Sequence, residues 1–420
     1  MKKSISSVLI DSNSTTSKDL FGKCGSFQDH FKKWSSRPSY LYKSARLPSK
    51  ESGYVDFFNH KNMLIMGSND YLGLAQHPKV VGASMNALEN YGFGSTGSPL
   101  TTGTTVLHEE LCHKLSSLFK KESAILFNSG YAANIGAISA LLREGDLCSI
   151  DVLAHASLHD ATKMSDSTKL TFNHNNILHL ERLLSKHRNR HNGSLLATES
   201  IFSMDGDIAP LKELIHIAKR YDTKTYIDEA HSFGVIGEKG LGGAELHSVL
   251  DDVDIIMGTF SKICGGIGGF VVASKDVCDW LYWYGRSQMF SVSLPPSTVA
   301  AALAALDIFE NEPQRIKRLN KNITKFVKGV TNLGFRMPKD HVGPIIPVII
   351  GDEGVMEEMT KTLLKHRVFV TPIIYPAVSR NSCRFRFTVT SEMSDSDLNQ
   401  ALIALKDAIE TTNFNPHDKK

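Results

Sequence analysis

Residues 61–295 alternate short apolar runs with amphipathic stretches, and this alternation restricts the possible folds more than any other feature. "ESAILFNSG" precedes "YAANIGAISALLREGD", whose apolar residues recur at helical spacing until Gly145. In the same way "GSLLATES" precedes the amphipathic "PLKELIHIAKRYD", and the apolar runs "TKTYIDEAH" and "VDIIMGTFSK" follow. Strands that alternate with helices form a mostly parallel sheet with helices on both faces. The sequence therefore predicts an α/β domain whose ligands bind beyond the carboxyl ends of the strands.

The segments on either side of this region have different patterns. Residues 1–60 are polar and rich in serine and lysine, which indicates an N-terminal tail and, around "RPSYLYKSARLP", a segment that packs on the body. After residue 295 come the helical stretch "STVAAALAALDIFEN", another over 317–333, the apolar runs "IIPVII", "VFVTPII" and "RFRFTVT", and a helical pattern over 396–409. We therefore expect three regions, which are the tail (1–60), a large domain (61–295) and a smaller C-terminal α+β domain (296–420).

Composition excludes several classes of protein. The net charge of +3 among 420 residues, without a concentrated basic block, gives no indication of nucleic-acid binding. The six cysteines contain no CxxC pair, so the sequence indicates neither a disulfide framework nor a metal site. The longest apolar stretch, "VGPIIPVII", is nine residues long with two prolines, which is too short to span a bilayer. We expect a cytoplasmic protein with peripheral membrane contact at most.

Polar features follow the predicted strands, and each one alone has an ordinary structural explanation. In "FNSGY", Ser129, Gly130 and Tyr131 stand at a strand-to-helix junction, where backbone N–H groups can bind phosphate but where most junctions are simple turns. In "DVLAHAS", His155 follows a strand and, taken alone, is more typical of a capping or core histidine. "YIDEAH" ends a strand at Asp228, which is equally typical of an N-cap to the next helix.

Two further residues complete the set. His231 lies three residues after Asp228, and Lys262 follows the apolar run "IIMGTFS" with several glycines behind it. Lys262 is 34 residues beyond Asp228, which is enough chain for one helix and a return to the adjacent strand. A lysine can form a Schiff base with an aldehyde, an acid can pair with a pyridinium nitrogen, and a helix N-terminus can hold a phosphate. Together these features predict pyridoxal 5'-phosphate as the cofactor.

The chain resembles the α-oxoamine synthase family in a series of motifs that run in family order over residues 60–410. The motifs are "SNDYLGL", "GSTGS", "GTTVLHEEL", "FNSGYAANIG", "HASLHDA", "ESIFSMDGDIAPL", "IDEAHSFGVIGEKGLG", "GTFSK" and "RFRFTVT". The resemblance implies the fold type I of pyridoxal-phosphate enzymes, the aspartate aminotransferase-like fold, with a mostly parallel seven-stranded sheet. It also implies a homodimer with shared active sites, and a condensation of an amino acid with an acyl-CoA.

The same resemblance implies roles for individual residues. Lys262 would carry the Schiff base and take the α-proton of the amino acid, and Asp228 would keep the pyridine nitrogen protonated. His231 would bond the ring hydroxyl, and His155 would stack on the ring. Further cofactor contacts would come from Ser129, Gly130, Tyr131, Thr259 and Ser261, and from Ser291 reaching the phosphate in the neighbouring subunit. The substrate-binding residues would be Asn69, Tyr71 and Arg386, of which Arg386 matches the arginine that clamps the amino-acid carboxylate.

Other classes remain as alternatives or lack their defining residues. The glycine run after Lys262 has Val271 where the last glycine of a GxGxxG motif belongs, which disfavours a dehydrogenase. The chain contains no GxxxxGK[ST] or GxSxG motif, which disfavours P-loop NTPases and α/β-hydrolases. A pyridoxal-phosphate aminotransferase would share the cofactor residues, but "HAS" and "FSMDGD" favour acyl-CoA condensation. A catalytically silent scaffold relative is expected to lack the Schiff-base lysine, whereas Lys262 is present.

Within the family, the sequence looks most like bacterial serine palmitoyltransferase, since Ser261 precedes the lysine in "TFSK". That resemblance implies condensation of L-serine with a long-chain acyl-CoA, as in sphingolipid biosynthesis. The alternatives are an α-aminoketone autoinducer synthase, 8-amino-7-oxononanoate synthase, aminolevulinate synthase and 2-amino-3-ketobutyrate CoA ligase. Two departures leave the substrates open: Pro99 stands where many members have arginine, and Met393 where many have histidine.

Overall fold

The computed structural model describes residues 6, 9, 19–37, 40–42, 45–48, 53–57, 60–338 and 341–418. The chain divides into two compact units. The larger unit comprises Asn69–Asn320 and Val342–Pro344, and the smaller comprises Met1–Ser68, Lys321–His341 and Ile345–Lys420. Much of the predicted tail, including part of "RPSYLYKSARLP", lies outside the described residues.

Strands and helices alternate as the sequence pattern predicts. The first half of the chain contains α1 (Gly22–Ser35), β1 (Arg46–Pro48), β2 (Tyr54–Phe57), β3 (His60–Ile65), α2 (Pro78–Tyr91), α3 (Val106–Phe119), β4 (Ser123–Phe127), α4 (Gly130–Leu141), β5 (Leu147–Asp151), α5 (Ala156–Lys163), β6 (Thr168–Phe172), α6 (Ile177–His187) and β7 (Ser194–Glu199). The second half contains α7 (Leu211–Arg220), β8 (Lys224–Asp228), α8 (Gly243–Leu246), β9 (Ile255–Thr259), β10 (Gly269–Ala273), α9 (Lys275–Tyr284), α10 (Arg286–Met289), α11 (Pro296–Asn311), α12 (Gln314–Asn332), β11 (Ile345–Ile349), α13 (Glu353–Lys365), β12 (Val368–Phe369), β13 (Pro372–Ile373), β14 (Arg384–Thr388) and α14 (Asp395–Thr412).

The larger unit is built on a seven-stranded sheet of order β4-β10-β9-β8-β7-β5-β6 within the described part of the chain. Strand β10 runs antiparallel to both neighbours, and the remaining pairs are parallel. All residues of β5, β7 and β9 are buried. Continuous apolar strands are typical of a sheet covered on both faces. The predicted fold type I with a mostly parallel sheet is confirmed.

Helix α4 packs on one face of the sheet and begins at the edge where we expect ligands to bind. Ser129 is its N-cap, and the Ser129 Oγ accepts a hydrogen bond from the Ala132 N–H at 3.0 Å. Ala133, Ala137 and Ile138 are fully buried and pack into the core with apolar side chains of β4, β5, β9 and β10. The helix is therefore fixed along one face of the sheet, with its N-terminus just beyond the end of β4.

The smaller unit contains two sheets in its described residues, β1-β2-β3-β12 and β11-β14-β13. The residues that make up this unit differ from those of the predicted domains, whose boundaries lie at residues 60 and 295. Strand β3 belongs to this unit because β12 pairs with it in parallel, Val368 opposite Leu64 and Phe369 opposite Ile65. Helix α11 belongs to the larger unit. The run "VFVTPII", expected as one strand, forms two short strands, β12 and β13.

Neither a spanning helix nor a metal cluster is found in the described residues. No helix there is both long and apolar enough to cross a bilayer. No group of three or more His, Cys, Asp or Glu side chains within those ranges is arranged to hold a metal ion.

Candidate active site

The carboxyl edge of the large sheet gathers the residues that the sequence singled out. Ser129 follows β4, His155 follows β5, Asp228 ends β8 and Thr259 ends β9. Parallel strands bring their carboxyl ends to one edge, and the register pairs Asp228 with Glu199 of β7 and with Met257 of β9. The site is therefore assembled from residues far apart in the sequence.

Asp228 is a buried carboxylate held by two donors. Its Oδ2 accepts a hydrogen bond from Asn134 Nδ2 at 2.9 Å, and its Oδ1 accepts one from the backbone N–H of Ala230 at 2.9 Å. Only 3% of the residue is exposed. A buried anion requires such donors, and it pairs strongly with a cationic ligand because water is excluded.

Glu199 lies beside Asp228 on the neighbouring strand and was not foreseen. It is 2% exposed, and its Oε1 has no hydrogen-bond partner in the described part of the chain. Burial, followed by the nearby Asp228 carboxylate, raises the pKa of Glu199 well above its usual range. Glu199 therefore favours its protonated form more than an ordinary carboxyl group does.

His155 presents its imidazole ring at the same edge. It is the N-cap of α5, where its Nδ1 accepts a hydrogen bond from the Ser157 N–H at 3.3 Å and lies 2.7 Å from Ser157 Oγ. Loss of hydration next to the surrounding protein lowers the pKa of His155. The negative charge of Asp228 opposes this effect, and the positive charge of Lys262 adds to it. The residue is solvent-exposed in the single chain, so the ring can receive a flat ligand.

Tyr71 brings His231 and Asn69 together. Tyr71 is fully buried, and its Oη lies 2.7 Å from His231 Nδ1 and donates to Asn69 Oδ1 at 3.3 Å. The sequence placed Asn69 and Tyr71 among substrate residues and His231 among cofactor residues. The structure adds that Tyr71 orients the His231 ring.

The N-terminus of α4 and the end of β9 form a narrow cradle. A Cβ at Gly130 would approach Thr259 Cβ to 3.2 Å, so the two segments meet this closely only because Gly130 has no side chain. The first N–H groups of a helix, here those of Gly130 and Tyr131, have no partner within the helix and favour an anion. Thr259 Oγ1 lies 2.9 Å from Ser261 Oγ and donates to the Gly268 carbonyl at 2.7 Å. The cradle suits a phosphate.

Lys262 lies in the turn after β9, where it is half-buried. Its charge acts on both His155 and Glu199, which places the ammonium at the same edge as Asp228. Ser291 lies in the loop after α10, and its Oγ accepts a hydrogen bond from Asn128 Nδ2 at 2.6 Å. Arg386 lies in β14 of the smaller unit and is half-buried.

The two departures from the family pattern have defined structural contacts. The Pro99 carbonyl accepts hydrogen bonds from Tyr282 Oη at 2.5 Å and Thr104 Oγ1 at 3.0 Å. Met393 is buried in the smaller unit, and its carbonyl accepts a hydrogen bond from Asn322 Nδ2 at 2.8 Å. Both residues are therefore integrated into the fold.

A second charged cluster ties two loops of this edge together. His174 lies between two carboxylates, with Nδ1 3.0 Å from Asp151 Oδ1 and Nε2 2.8 Å from Asp207 Oδ2. Asn175 also contacts both: its N–H donates to Asp151 and its Nδ2 to Asp207, each at 2.8 Å. Burial alone would lower the pKa of His174, but the hydrogen bonds to Asp151 and Asp207 outweigh it and raise the pKa to about 10. His174 is an imidazolium at neutral pH.

We expect His174→Ala to lower the free energy of unfolding by about 3 kcal/mol near pH 7, because two carboxylates lose their shared cation. The folded-state pKa of His174 is raised above its ordinary 6.5, so its stabilising effect is full below pH 6.5 and declines as pH rises toward 10. Denaturant unfolding of the wild type and the variant across this range measures the difference. A difference that grows with pH would contradict the assignment.

The site residues fit pyridoxal phosphate as a donor set. A buried anion (Asp228), a half-buried amine (Lys262), a flat imidazole (His155) and an anion cradle at Gly130 match a cationic ring, an aldehyde, a ring face and a phosphate. The most specific of these features is the close approach of Gly130 to Thr259, where an added Cβ would lie 3.2 Å from Thr259 Cβ.

Comparisons with known proteins agree with this fit. The family model described as "Aminotransferase class I and II" matches residues 61–405. The chain is 39% identical to an 8-amino-7-oxononanoate synthase from Treponema denticola over 86% of this chain and 91% of the relative. It is also 39% identical to a serine palmitoyltransferase from Bacteriovorax stolpii over 83% of each. The solved structure of a Sphingomonas wittichii serine palmitoyltransferase covers 94% of this chain and 99% of its own, with 30% identity and a TM-score of 0.90.

These matches span nearly the whole described fold, and they agree with the motif resemblance. The chain therefore belongs to the class I and II aminotransferase family of pyridoxal-phosphate-dependent fold type I enzymes, and within it to the α-oxoamine synthases.

Proposed function

We propose that this α-oxoamine synthase condenses L-serine with a long-chain acyl-CoA to give an α-aminoketone of the 3-ketosphinganine type. A Cα–acyl bond forms, the thioester C–S bond breaks to release CoA, and the carboxylate leaves as CO2. The observation that carries this choice of branch is the likeness to serine palmitoyltransferase structures, at a TM-score of 0.90. An 8-amino-7-oxononanoate synthase from Francisella tularensis reaches 0.71.

When bound, pyridoxal phosphate supplies a conjugated, electron-withdrawing ring that stabilises negative charge at the amino-acid Cα. Lys262 would hold the cofactor covalently through Nζ and, once displaced by the amino acid, would remove the proton from Cα. Asp228 would hold the ring nitrogen in its protonated form, since the side chain is buried and a hydrogen bond to each of its oxygens fixes its orientation.

The remaining residues would bind and orient. Gly130 and Tyr131, through their N–H groups, and Thr259, Ser129 and Ser261, through their hydroxyls, would hold the phosphate. His231, oriented by Tyr71, would bond the ring hydroxyl, and His155 would cover the ring face and exclude water. Arg386 would bind the amino-acid carboxylate through its guanidinium fork.

We also propose a homodimer in which Ser291 of one subunit reaches the phosphate held by the other. In the single chain Ser291 is tethered to Asn128, which immediately precedes the phosphate-binding helix cap. A cytoplasmic location, with peripheral membrane contact at most, is the setting that we infer for this assembly.

Two alternatives within the family differ in substrate. 8-Amino-7-oxononanoate synthase is favoured by several relatives at 36–39% identity, among them those from Thermoanaerobacter pseudethanolicus and Treponema denticola. An α-aminoketone autoinducer synthase is favoured by the departures at Pro99 and Met393. The cofactor residues would act in the same way in all three.

A matrix of amino acids against acyl-CoAs tests the proposed substrates. Serine, glycine, alanine and 2-aminobutyrate are each combined with thioesters from C2 to C18 and with pimeloyl-CoA, and released thiol is followed. We expect serine with C14–C18 chains to be preferred, and kcat/KM to rise steeply from C8 to C16, because each buried CH2 contributes about 0.8 kcal/mol. Preference for acetyl- or pimeloyl-CoA, or for glycine over serine, contradicts the palmitoyltransferase assignment and leaves the family unchanged.

A further inference from the structure

One buried amide on helix α4, that of Asn134, bonds Asp228 directly and His155 through Ser157. Asn134, which is 1% exposed, donates through Nδ2 to Asp228 Oδ2 at 2.9 Å and to Ser157 Oγ at 2.8 Å. Its Oδ1 accepts a hydrogen bond from Tyr226 Oη at 2.9 Å. Ser157 Oγ in turn lies 2.7 Å from His155 Nδ1. The four side chains form a continuous hydrogen-bonded chain with Asp228 as a branch.

The orientation of the Asn134 amide follows from its neighbours. A carboxylate only accepts hydrogen bonds, so the atom that faces Asp228 must be Nδ2. Burial, and the nearby Asp228, raise the pKa of Tyr226 well above its usual range, so its phenol keeps the proton that it donates to Oδ1. A flipped amide would place Oδ1 against the carboxylate and Nδ2 against a donor. The amide is therefore locked from both sides.

The protons along the chain then have fixed positions. Asn134 donates both Nδ2 hydrogens, one to Asp228 and one to Ser157 Oγ. The Ser157 hydroxyl therefore accepts a hydrogen bond from Asn134, and its own proton is available for His155 Nδ1. The backbone N–H of Ser157 also donates to this Nδ1. Nδ1 is an acceptor in both contacts. A neutral His155 must therefore carry its proton on Nε2.

We infer that Asn134 is a positioning residue: its single amide orients the Asp228 carboxylate and, through Ser157, fixes His155 as the tautomer with the proton on Nε2. His155 then offers an N–H donor to the bound ligands, and a thioester carbonyl oxygen is an acceptor that suits it. The charged or titratable groups that face His155 are Asp228, Lys262, Asp160 and Glu199. This inference rests on the proposed function for its consequence in catalysis, whereas the tautomer is a property of the free protein.

Nitrogen-15 spectra of histidine side chains in the full-length, cofactor-free protein test the tautomer, with the His155 signals assigned by their loss in His155→Asn. We expect the wild type to show protonated Nε2 and unprotonated Nδ1. Ser157→Ala leaves only the longer 3.3 Å contact from the backbone N–H to Nδ1 and should give a mixture of tautomers, whereas Ser157→Thr, which keeps the hydroxyl, should restore the wild-type pattern. An unchanged tautomer in Ser157→Ala overturns the inference.

Cofactor affinity separates the effect of Asn134 on Asp228 from its effect on His155. We expect Asn134→Ala to raise the Kd for pyridoxal phosphate about tenfold or more, since Asp228 loses a hydrogen bond to a charged group, and to disturb the His155 tautomer. Ser157→Ala should leave the Kd within about twofold. If Asn134→Ala fails to fold, Asn134→Leu, which keeps the shape of the side chain but removes the amide that reaches both Asp228 and Ser157, serves the same test and should disturb the tautomer.

Asn322→Ala is the matched control. Asn322 is also a buried amide with two donated bonds, to the carbonyls of Thr390 and Met393, but it lies in the smaller unit. We expect it to lose stability without changing either the His155 tautomer or the Kd, and an equal change in both variants contradicts a positioning role for Asn134. A wild type that shows the expected tautomer but does not bind the cofactor refutes the proposed function and leaves the hydrogen-bond inference standing.

Discussion

Lys262→Ala is expected to lower kcat by about 10,000-fold or more while the folded structure is retained. The proposed mechanism gives this one amine two tasks, covalent attachment of the cofactor and removal of the α-proton, and general base catalysis alone contributes about a hundredfold to ten-thousandfold. The residue lies in an irregular turn after β9, so its truncation leaves the sheet intact. Steady-state kinetics and the visible absorbance of lysine-bound cofactor measure the two effects together.

Lys275→Ala is the control for this variant. Lys275 is exposed on α9 and pairs with Asp279 at 2.5 Å, so its loss should change kcat less than about twofold. Retained absorbance of bound cofactor and retained activity in Lys262→Ala would remove Lys262 from the mechanism. A wild type that neither binds cofactor nor turns over would instead favour the catalytically silent scaffold.

Asp228→Asn is expected to lower kcat/KM by about a thousandfold. The substitution keeps the shape of the side chain but removes the negative charge that would hold the ring nitrogen protonated. Breaking one partner of a buried charge pair costs about 3–5 kcal/mol, and each 1.36 kcal/mol in the barrier is a tenfold change in rate. The new amide has one oxygen and one NH2 group in place of two carboxylate oxygens. If its NH2 group faced Asn134 Nδ2, two donors would oppose each other where Asp228 Oδ2 now accepts a hydrogen bond.

Asp254→Asn provides the comparison for Asp228→Asn. Asp254 directly precedes β9, and its Oδ2 accepts hydrogen bonds from the Thr225 N–H and hydroxyl, each at 2.9 Å. It lies at the amino end of the strands, away from the carboxyl edge, so its loss should affect stability and not kcat/KM. Cofactor titrations and kinetics of both variants decide the matter, and equal losses of kcat/KM would contradict the role given to Asp228.

The sequence predicted the large sheet well because its signal is local. Each of β5, β7, β8 and β9 is a short apolar run that ends in a turn or loop, and the candidate site residues fall where those runs end. Lys262, Asp228 and His155 were predicted as site residues in this way, since the carboxyl ends of parallel strands meet regardless of the order of the strands.

The domain edges could not be predicted because they depend on long-range pairing. Strand β3 reads as the start of the large domain, but its partner is β12, far along the chain. The break between β12 and β13 is invisible in "VFVTPII", whose composition is that of one continuous strand. Hydrogen bonds between distant segments decide both features.

Asn134, Ser157 and Glu199 were missed for a different reason. Each is a polar residue within a strongly apolar or motif-bearing stretch, and its importance lies in partners that the sequence does not place beside it. Asn134 and Asp228 are 94 residues apart. The one available signal was an asparagine in the otherwise apolar helix "YAANIGAISAL", because a buried amide needs partners for both its oxygen and its nitrogen.

The most direct test of the proposed reaction is whether the purified chain releases thiol from an acyl-CoA in the presence of an amino acid and pyridoxal phosphate. An α-oxoamine synthase should release thiol only when both substrates are present and independently of any 2-oxo acid, and Lys262→Ala should lose this activity. Amino-group exchange that requires a 2-oxo acid, without thiol release from any acyl-CoA tested, would contradict the proposed reaction and identify the chain as an aminotransferase.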